Sequence, residues 1–342
     1  MVQFSRRSLL GLGLSGAFLG RASAQSVRRP AVVNGRRYLQ YDVFTDKPLA
    51  GNQLAVFTET TGLSAAEMQA MTRETKFSEC TFVQPAETPG TDLSAEARSA
   101  KVDVRLRIFG PANELQFAGH PVIGSTFALA DDGVIKAGRK EFTFGLGIGP
   151  TLVELEWQGE RLQFAWMTQQ KPAYGPEFPT PAALAGALGL DASALRPNTA
   201  PQEVSCGSPF MFVPLVSRAA VDQAVIDTRA AAAAFESAKL TRRGLFIFTS
   251  EPGADGATVY SRMMGATEDP ATGSASGPLG CYLIKHGIVP ADKAGSIVSS
   301  QGVKMGRPSR IHIKLDMHGS EIARVRVGGT SVLVGEGRLR AS

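Results

Sequence analysis

The chain repeats itself at long range, and that repetition constrains the fold more than any other feature of its 342 residues. Gly51-Asn-Gln-Leu-Ala-Val-Phe57 is echoed by Gly207-Ser-Pro-Phe-Met-Phe-Val213, and Arg107-Ile-Phe-Gly110 by Arg262-Met-Met-Gly265. Gly119-His120 is echoed by Gly273-Ser274, and Gly133-Val-Ile135 by Gly287-Ile-Val289. Gly145 through Pro150, with the alternating run after it, returns as Gly302 through Pro308 with an alternating run of its own. The landmarks keep their order, and their offsets stay between 154 and 158 residues. Flanking apolar and charged positions match as well, which chance recurrence of glycine does not produce. A period this long means a duplicated domain, not a solenoid of short repeats.

Each copy reads alike. Alternation over Tyr38–Phe57 and again over Val102–Phe109 predicts strands. Between them Ser64–Arg73 has helical spacing, with Leu63, Met68 and Met71 on one face and Ser64 and Glu67 placed as a capping box. A strand, a glycine-rich turn and an apolar helix follow in both copies. The helices are expected over Pro121–Asp131 and Ser276–His286. Both are apolar nearly all round, which fits enclosure by a sheet, and Gly133 and Gly287 are placed to end them as C′ residues. The expected fold is α/β, with two pseudo-symmetric domains, each a curved sheet or barrel around a central helix. The first spans residues 37–165 and the second 166–342, with terminal strands free to exchange between them.

Residues 1–24 read as a leader rather than as part of the fold. Ser5-Arg6-Arg7-Ser8-Leu9-Leu10 is a twin-arginine pattern, the apolar run from Leu9 to Leu19 is too short to span a bilayer, and Ala22-Ser23-Ala24 fits a cleavage site. A periplasmic location in a bacterial host is the expectation, with no membrane association once the leader is gone. The G-x-G-x-x-G match at Gly11–Gly16 lies inside the leader and has no strand before it, so it is no dinucleotide site. Removing Arg6, Arg7 and Arg21 lowers the formal charge from +5 to +2. The remaining Lys and Arg are scattered, which argues against nucleic acid. Cys80, Cys206 and Cys281 are too few and too widely spaced for a disulfide framework or a zinc site. Buried free thiols are expected, with one disulfide left open after export.

A helix start carries unpaired N–H groups and the positive end of the dipole. Two such starts, at Gly119 and Gly273, can face each other across a cleft and hold a small carboxylate. His120 and Ser274 occupy equivalent positions at these mouths. Asp269 lies four residues before Gly273, and Glu114 stands at a similar place before Gly119. Glu79, framed by Phe77, Phe82 and Val83, sits where apolar neighbours raise a carboxyl pKa toward neutrality, the condition for moving protons. Glu59, Glu67, Glu74 and Glu87 lack such a frame and are expected on the surface. No G-x-S-x-G nucleophile elbow and no P-loop are present, and His120, His286, His312 and His318 make no metal spacing. Acid/base chemistry without metal or cofactor is the reading these residues leave.

Five blocks carry a resemblance. Asp42-Val-Phe-Thr-Asp-Lys-Pro-Leu-Ala-Gly51-Asn52, Ser78-Glu79-Cys-Thr-Phe-Val, Glu114-Leu-Gln-Phe-Ala-Gly119-His120-Pro121, Glu268-Asp269-Pro-Ala-Thr-Gly273-Ser274-Ala and Gln301-Gly-Val-Lys-Met-Gly-Arg-Pro-Ser309 resemble the signature blocks of the PhzF family of phenazine-biosynthesis-like isomerases. The resemblance runs from about Arg37 to the end of the chain. It implies the diaminopimelate-epimerase fold, a catalytic Glu79, a cleft completed by His120, Asp269, Ser274 and Asn52, and backbone donors at Gly119 and Gly273. Related epimerases and racemases use two cysteines, which here fall at Ala118 and Thr272, so two-thiol racemisation is not expected. The family's usual Gly-Asn-Pro reads Gly51-Asn52-Gln53 in this chain. Export separates it from the cytoplasmic phenazine reaction.

The expected function is a cofactor-independent isomerase of a small carboxylate, moving a proton to shift a double bond or to epimerise. A homodimer is the expected assembly. The alternative is a non-catalytic protein that binds an acidic metabolite or a partner protein.

Overall fold

The alternating segments become strands, and the two copies become two halves built on one plan. The structure, a computed structural model, describes residues 34–86 and 101–340. The leader expected at residues 1–24 and the surface glutamate expected at Glu87 lie outside the described residues. In the first half β1 (Arg36–Val43) turns back on β2 (Asn52–Phe57), and helix α1 (Ala65–Thr75) crosses over to β3 (Cys80–Pro85). Then come β4 (Val104–Phe109), the two-residue β5 (Glu114–Leu115), α2 (Gly119–Asp131), β6 (Glu141–Leu146), β7 (Gly149–Gln158) and β8 (Arg161–Gln169). β9 (Ala173–Glu177) and α3 (Pro181–Ala187) lead into β10 (Gln202–Ser205), β11 (Pro209–Pro214), α4 (Arg218–Gln223), α5 (Thr228–Ser237) and β12 (Leu245–Thr249). The chain continues through β13 (Val259–Met264), α6 (Gly273–Lys285), β14 (Ile297–Gln301), β15 (Ser309–His318) and β16 (Glu321–Gly329) to β17 (Ser331–Leu339).

Strand pairing repeats between the halves. β2 is parallel to β3, β3 antiparallel to β4, β4 parallel to β6, and β6, β7 and β8 form an antiparallel meander. β11 to β16 show the same sequence of parallel and antiparallel partners. The halves join where β8 and β16 run antiparallel, with Trp166 opposite Gly328. The boundary expected between residues 165 and 166 falls inside β8; the glycine landmarks of the repeat end at Pro150 and mark nothing in this strand. The strand that follows β8, β9, pairs with β10, whereas the strand that follows β16, β17, pairs with β1.

The two apolar helices are enclosed, as their all-round hydrophobicity requires. Every residue of α2 from Gly119 to Leu129 is buried, among Val43, Leu54, Val153, Leu155 and Met167. Leu279, Cys281, Tyr282 and Leu283 of α6 sit likewise among Phe212, Ile313, Leu315 and Val325. Each such aliphatic side chain contributes about 1.5–3 kcal/mol when fully buried. Gly133 and Gly287 take left-handed conformations just past the helix ends, φ +70° and +63°. Both helices begin earlier than expected, at Gly119 and Gly273. In α2 this places Pro121 third, where its missing N–H has no intrahelical acceptor to lose. In α6 Pro278 is interior, and it deprives the Ser274 carbonyl of its usual partner. Outside the sheets, α1 lays Met68 and Met71 on Ala55, Phe57, Phe82 and Phe109, and its Ser64–Glu67 capping box forms in full. Cys80, Cys206 and Cys281 are buried free thiols.

Candidate active site

The starts of α2 and α6 meet. A Cβ placed on Gly119 would lie 2.4 Å from the carbonyl carbon of Gly273 and from the amide nitrogen of Ser274, so only glycine lets the two mouths touch. Neither mouth is capped by a side chain: Ala118 has nothing to offer, and Thr272 makes no capping hydrogen bond. Pro121 has no N–H to offer and the Ala275 N–H is taken by the Thr272 carbonyl at 3.1 Å, which leaves the N–H groups of the first two residues of each helix for a guest, and both dipoles favour an anion. His120 and Ser274 are the second residues of their helices. His120 is 3% exposed, while Ser274 keeps part of its surface open.

Glu79, just ahead of β3, reaches the α2 mouth, where its Oε2 is 3.2 Å from His120 Nδ1. Asn52, at the start of β2, ties the other groups together. Its amide nitrogen has three acceptors in reach: Asp269 Oδ1 at 2.7 Å, the Ala271 carbonyl at 2.9 Å and His120 Nδ1 at 3.1 Å. An amide nitrogen carries two protons, and the two shorter contacts use them. His120 Nδ1 is thereby left to share a proton with Glu79. Burial drives the imidazole pKa down to about 3, opposed only by the Gln53 backbone carbonyl, so the ring is neutral. Nε2 is buried and has no hydrogen-bond partner among the described residues. A proton on Nε2 leaves the Nδ1 lone pair facing a protonated Glu79.

The two carboxyls are set at different strengths. Burial, and then the charge of Asp269, push Glu79 up to about 8. Its side chain keeps a fifth of its surface open, yet the protein around it is dense enough to favour the neutral acid. Burial also raises Asp269, to about 6, but hydrogen bonds from Thr272 and Asn52 hold it back. At neutral pH Asp269 is ionised and Glu79 mostly protonated, a pairing of groups pushed apart by their surroundings that characterises acid/base sites.

Asp269 is held on every side. Thr272 Oγ1 donates to its Oδ2 at 2.6 Å, and Gln301 Nε2 donates to its backbone carbonyl at 2.8 Å. Gln301 Oε1 accepts from the Thr272 N–H at 3.0 Å. Gln301 is fully buried at the end of β14 and was not singled out from sequence; the available sign was an amide immediately before a repeated glycine. Arg307 was missed as well. It donates to Asp42, Ala50 and Gly51, fastening a segment in which Phe44, Leu49 and Gly51 all have left-handed backbones and which ends at Asn52. Glu114 does not belong to the cleft. It forms a two-point ion pair with Arg107, just as Glu268 does with Arg262. Its counterpart in the second half is therefore Glu268, not Asp269, and the two cleft carboxyls, Glu79 and Asp269, are not related by the duplication. Among the described residues no three His, Cys, Asp or Glu side chains gather as metal ligands.

The match to known proteins runs nearly the length of the chain. Residues 41–337 fit the family described as phenazine biosynthesis-like protein. The chain belongs to the PhzF family. A trans-2,3-dihydro-3-hydroxyanthranilate isomerase of Pseudomonas aeruginosa is 34% identical over 303 residues, covering 88% of this chain and 98% of that protein. Among solved structures, one described as a predicted epimerase from Pseudomonas aeruginosa is 31% identical, with a TM-score of 0.71 over 90% of this chain and 100% of its own. A PhzF-family phenazine biosynthesis protein of Bacillus anthracis, 22% identical, has a TM-score of 0.74 over 90% of this chain and 99% of its own, and supports the fold. As a PhzF-family chain with isomerases among its relatives, the protein is an isomerase with the expected epimerase-type α/β fold. The non-catalytic binding reading is set aside.

Proposed function

We propose that the isomerase acts on a small carboxylate by proton transfer through Glu79, without a cofactor. The observation that carries this reading is the placement of Glu79 beside neutral His120, at two abutting helix mouths whose donors are open. The substrate carboxylate lies against the first-turn N–H groups at Gly119, Gly273 and Ser274. Ionised Glu79 lifts a proton from carbon, and the mouths stabilise the negative charge that spreads over the conjugated system. Glu79 then returns the proton to a second carbon, which shifts the double bond, or to the opposite face, which epimerises. His120 Nδ1 accepts from the protonated Glu79 carboxyl and orients it for proton delivery, and Asp269, fixed by Asn52, Thr272 and Gln301, keeps that carboxyl basic enough to work near neutrality.

The dihydro-hydroxyanthranilate named for the Pseudomonas aeruginosa relative is the first compound to test, and a screen of small carboxylates by thermal shift extends the search. Turnover in heavy water tests the chemistry: solvent deuterium in the product supports an exchanging single base, and its absence from every carbon counts against one. The twin-arginine pattern supports a periplasmic place for the reaction. Assembly as a homodimer belongs to the same proposal, tested by sedimentation.

A further inference from the structure

The cleft is not the one place suited to a small anion. A second cavity of about 600 Å³ opens between the segment after β1 and the start of β15, lined among others by Phe44, Lys47, Ala254, Arg310, His312 and Thr330. Its volume is that of a small-molecule site. Glu79, His120, Asp269 and Ser274 are not among its lining residues. Ala50, Val303 and Pro308 add to an apolar floor. Around it stand donors with capacity to spare. Lys47 is exposed and has no ion-pair partner among the described residues. Arg310 commits only Nη1, to the Asp255 carbonyl at 2.7 Å. His312 is fixed edge-on against Phe164 and Trp166, 5.2 and 6.3 Å between centroids, and burial together with Arg310 and Lys314 lowers its pKa, so it offers a neutral N–H.

The charges facing this space are unequal. Lys47, Arg218 and Arg310 oppose Asp46 and Asp255, and Asp255 is already engaged by Arg218 at 2.7 Å. Glu251 lies nearby but accepts from the Arg218 N–H. The uncommitted positive groups are therefore Lys47 and Arg310, set beside an apolar floor.

We infer that this cavity is a second ligand site, for a small monocarboxylate with an apolar body. Phe44 connects it to the cleft. The Phe44 N–H donates to the Thr330 carbonyl and its carbonyl accepts from the Arg310 N–H, both at 2.9 Å. The Phe44 ring end meets Gly273, where a Cβ would lie 2.8 Å away. A guest against Thr330 and Arg310 therefore presses on the residue that backs the α6 mouth.

The test is an NMR titration of the mature protein with benzoate, read at the His312 ring and at the amides of Arg310 and Gly273. Saturable shifts at His312 and Arg310 are expected, with a smaller coupled shift at Gly273. Ala254→Trp, an exposed position whose indole fills the cavity, should abolish the His312 and Arg310 shifts while leaving any benzoate binding in the cleft intact. Lys47→Ala and Arg310→Ala should each weaken binding roughly 1.5- to fivefold, the range for an exposed charge contact. Benzamide, which lacks the charge, should bind more weakly than benzoate. An unresponsive His312, or shifts that survive Ala254→Trp, overturns the site. Equal affinity for benzamide overturns the carboxylate, and equal affinity for inorganic phosphate overturns the apolar body. Because the cavity is read at His312, failure of the cleft to bind carboxylates would be seen separately.

Discussion

Gly119 and Gly273 stand back to back, so close that a single added methyl on Gly119 would fall 2.4 Å from the Gly273 carbonyl carbon. The two helices that present open N–H groups are thus spaced by the absence of side chains. Gly119→Ala is expected to force the mouths apart, to cost about 1–3 kcal/mol as overpacking does, and to weaken carboxylate binding. Gly186 is the control: nothing lies within 4 Å of its Cβ position. Gly186→Ala in α3 should stabilise by about 0.4–1 kcal/mol. Urea midpoints compare the two, and opposite signs are the expected result.

Glu79→Gln should separate binding from chemistry. The amide keeps the shape and can still meet His120 Nδ1, but it cannot carry a proton. The expected loss in kcat is about 10²–10⁴-fold, the usual worth of a positioned acid/base group, with ligand affinity nearly unchanged. A variant that retains most of its turnover would remove Glu79 from the mechanism.

The pH dependence has a definite sign. If Glu79 starts the cycle ionised, kcat/KM rises with pH and levels off above about 8. The Asp269 charge is one of the two causes of that elevation, so Asp269→Asn should move the midpoint to lower pH as well as change the rate. Stability follows the same groups. Glu79 binds its proton more tightly folded than unfolded, so its contribution is complete below its ordinary 4.5 and is lost as pH climbs through about 8. Glu79→Gln has no such dependence, and its Tm advantage over the parent should widen across that window. His120 acts at the other end: its low folded pKa of about 3 makes the protein lose stability on acidification from 6.5 downward.

Arg307→Ala should be among the costly substitutions outside the cleft. Asp42 is 1% exposed, and its pairing with Arg307 Nη2 is at 2.6 Å. Removing the cation leaves a buried carboxylate whose remaining contact is the Leu49 N–H. Breaking a buried pair from one side costs about 3–5 kcal/mol. Asp42→Asn in the same background should recover part of the loss, as measured by thermal denaturation.

Much of the architecture was readable because glycine marks close approach wherever it recurs. Gly119 and Gly273, Gly133 and Gly287 appear in pairs because two copies of one unit need the same turns. Glu79, His120 and Asp269 were readable because each is an ionisable group beside a landmark or inside an apolar frame. Gln301 and Arg307 were not, since their roles are set by partners 29 and 265 residues away along the chain, and no local pattern encodes such a meeting. Pairing Glu114 with Asp269 failed for a related reason. Counting back from a glycine locates a backbone position, while the arginine across the strand decides where the carboxylate goes.

The reach of β17 back to β1 has a consequence for how the molecule is made. Arg36 faces Leu339, and Val43 faces Ser331. β1 finds β2 at once, but a ribosome must finish nearly the whole chain before the other edge of that first strand can find β17. Contacts this distant close slowly, because loop entropy is lost before they form. During synthesis the edge of β1 waits unsatisfied, a template for any other extended chain. A nascent-chain chaperone that shields strand edges would serve this protein at its beginning, and a premature stop anywhere ahead of Ser331 would leave that edge of β1 uncovered.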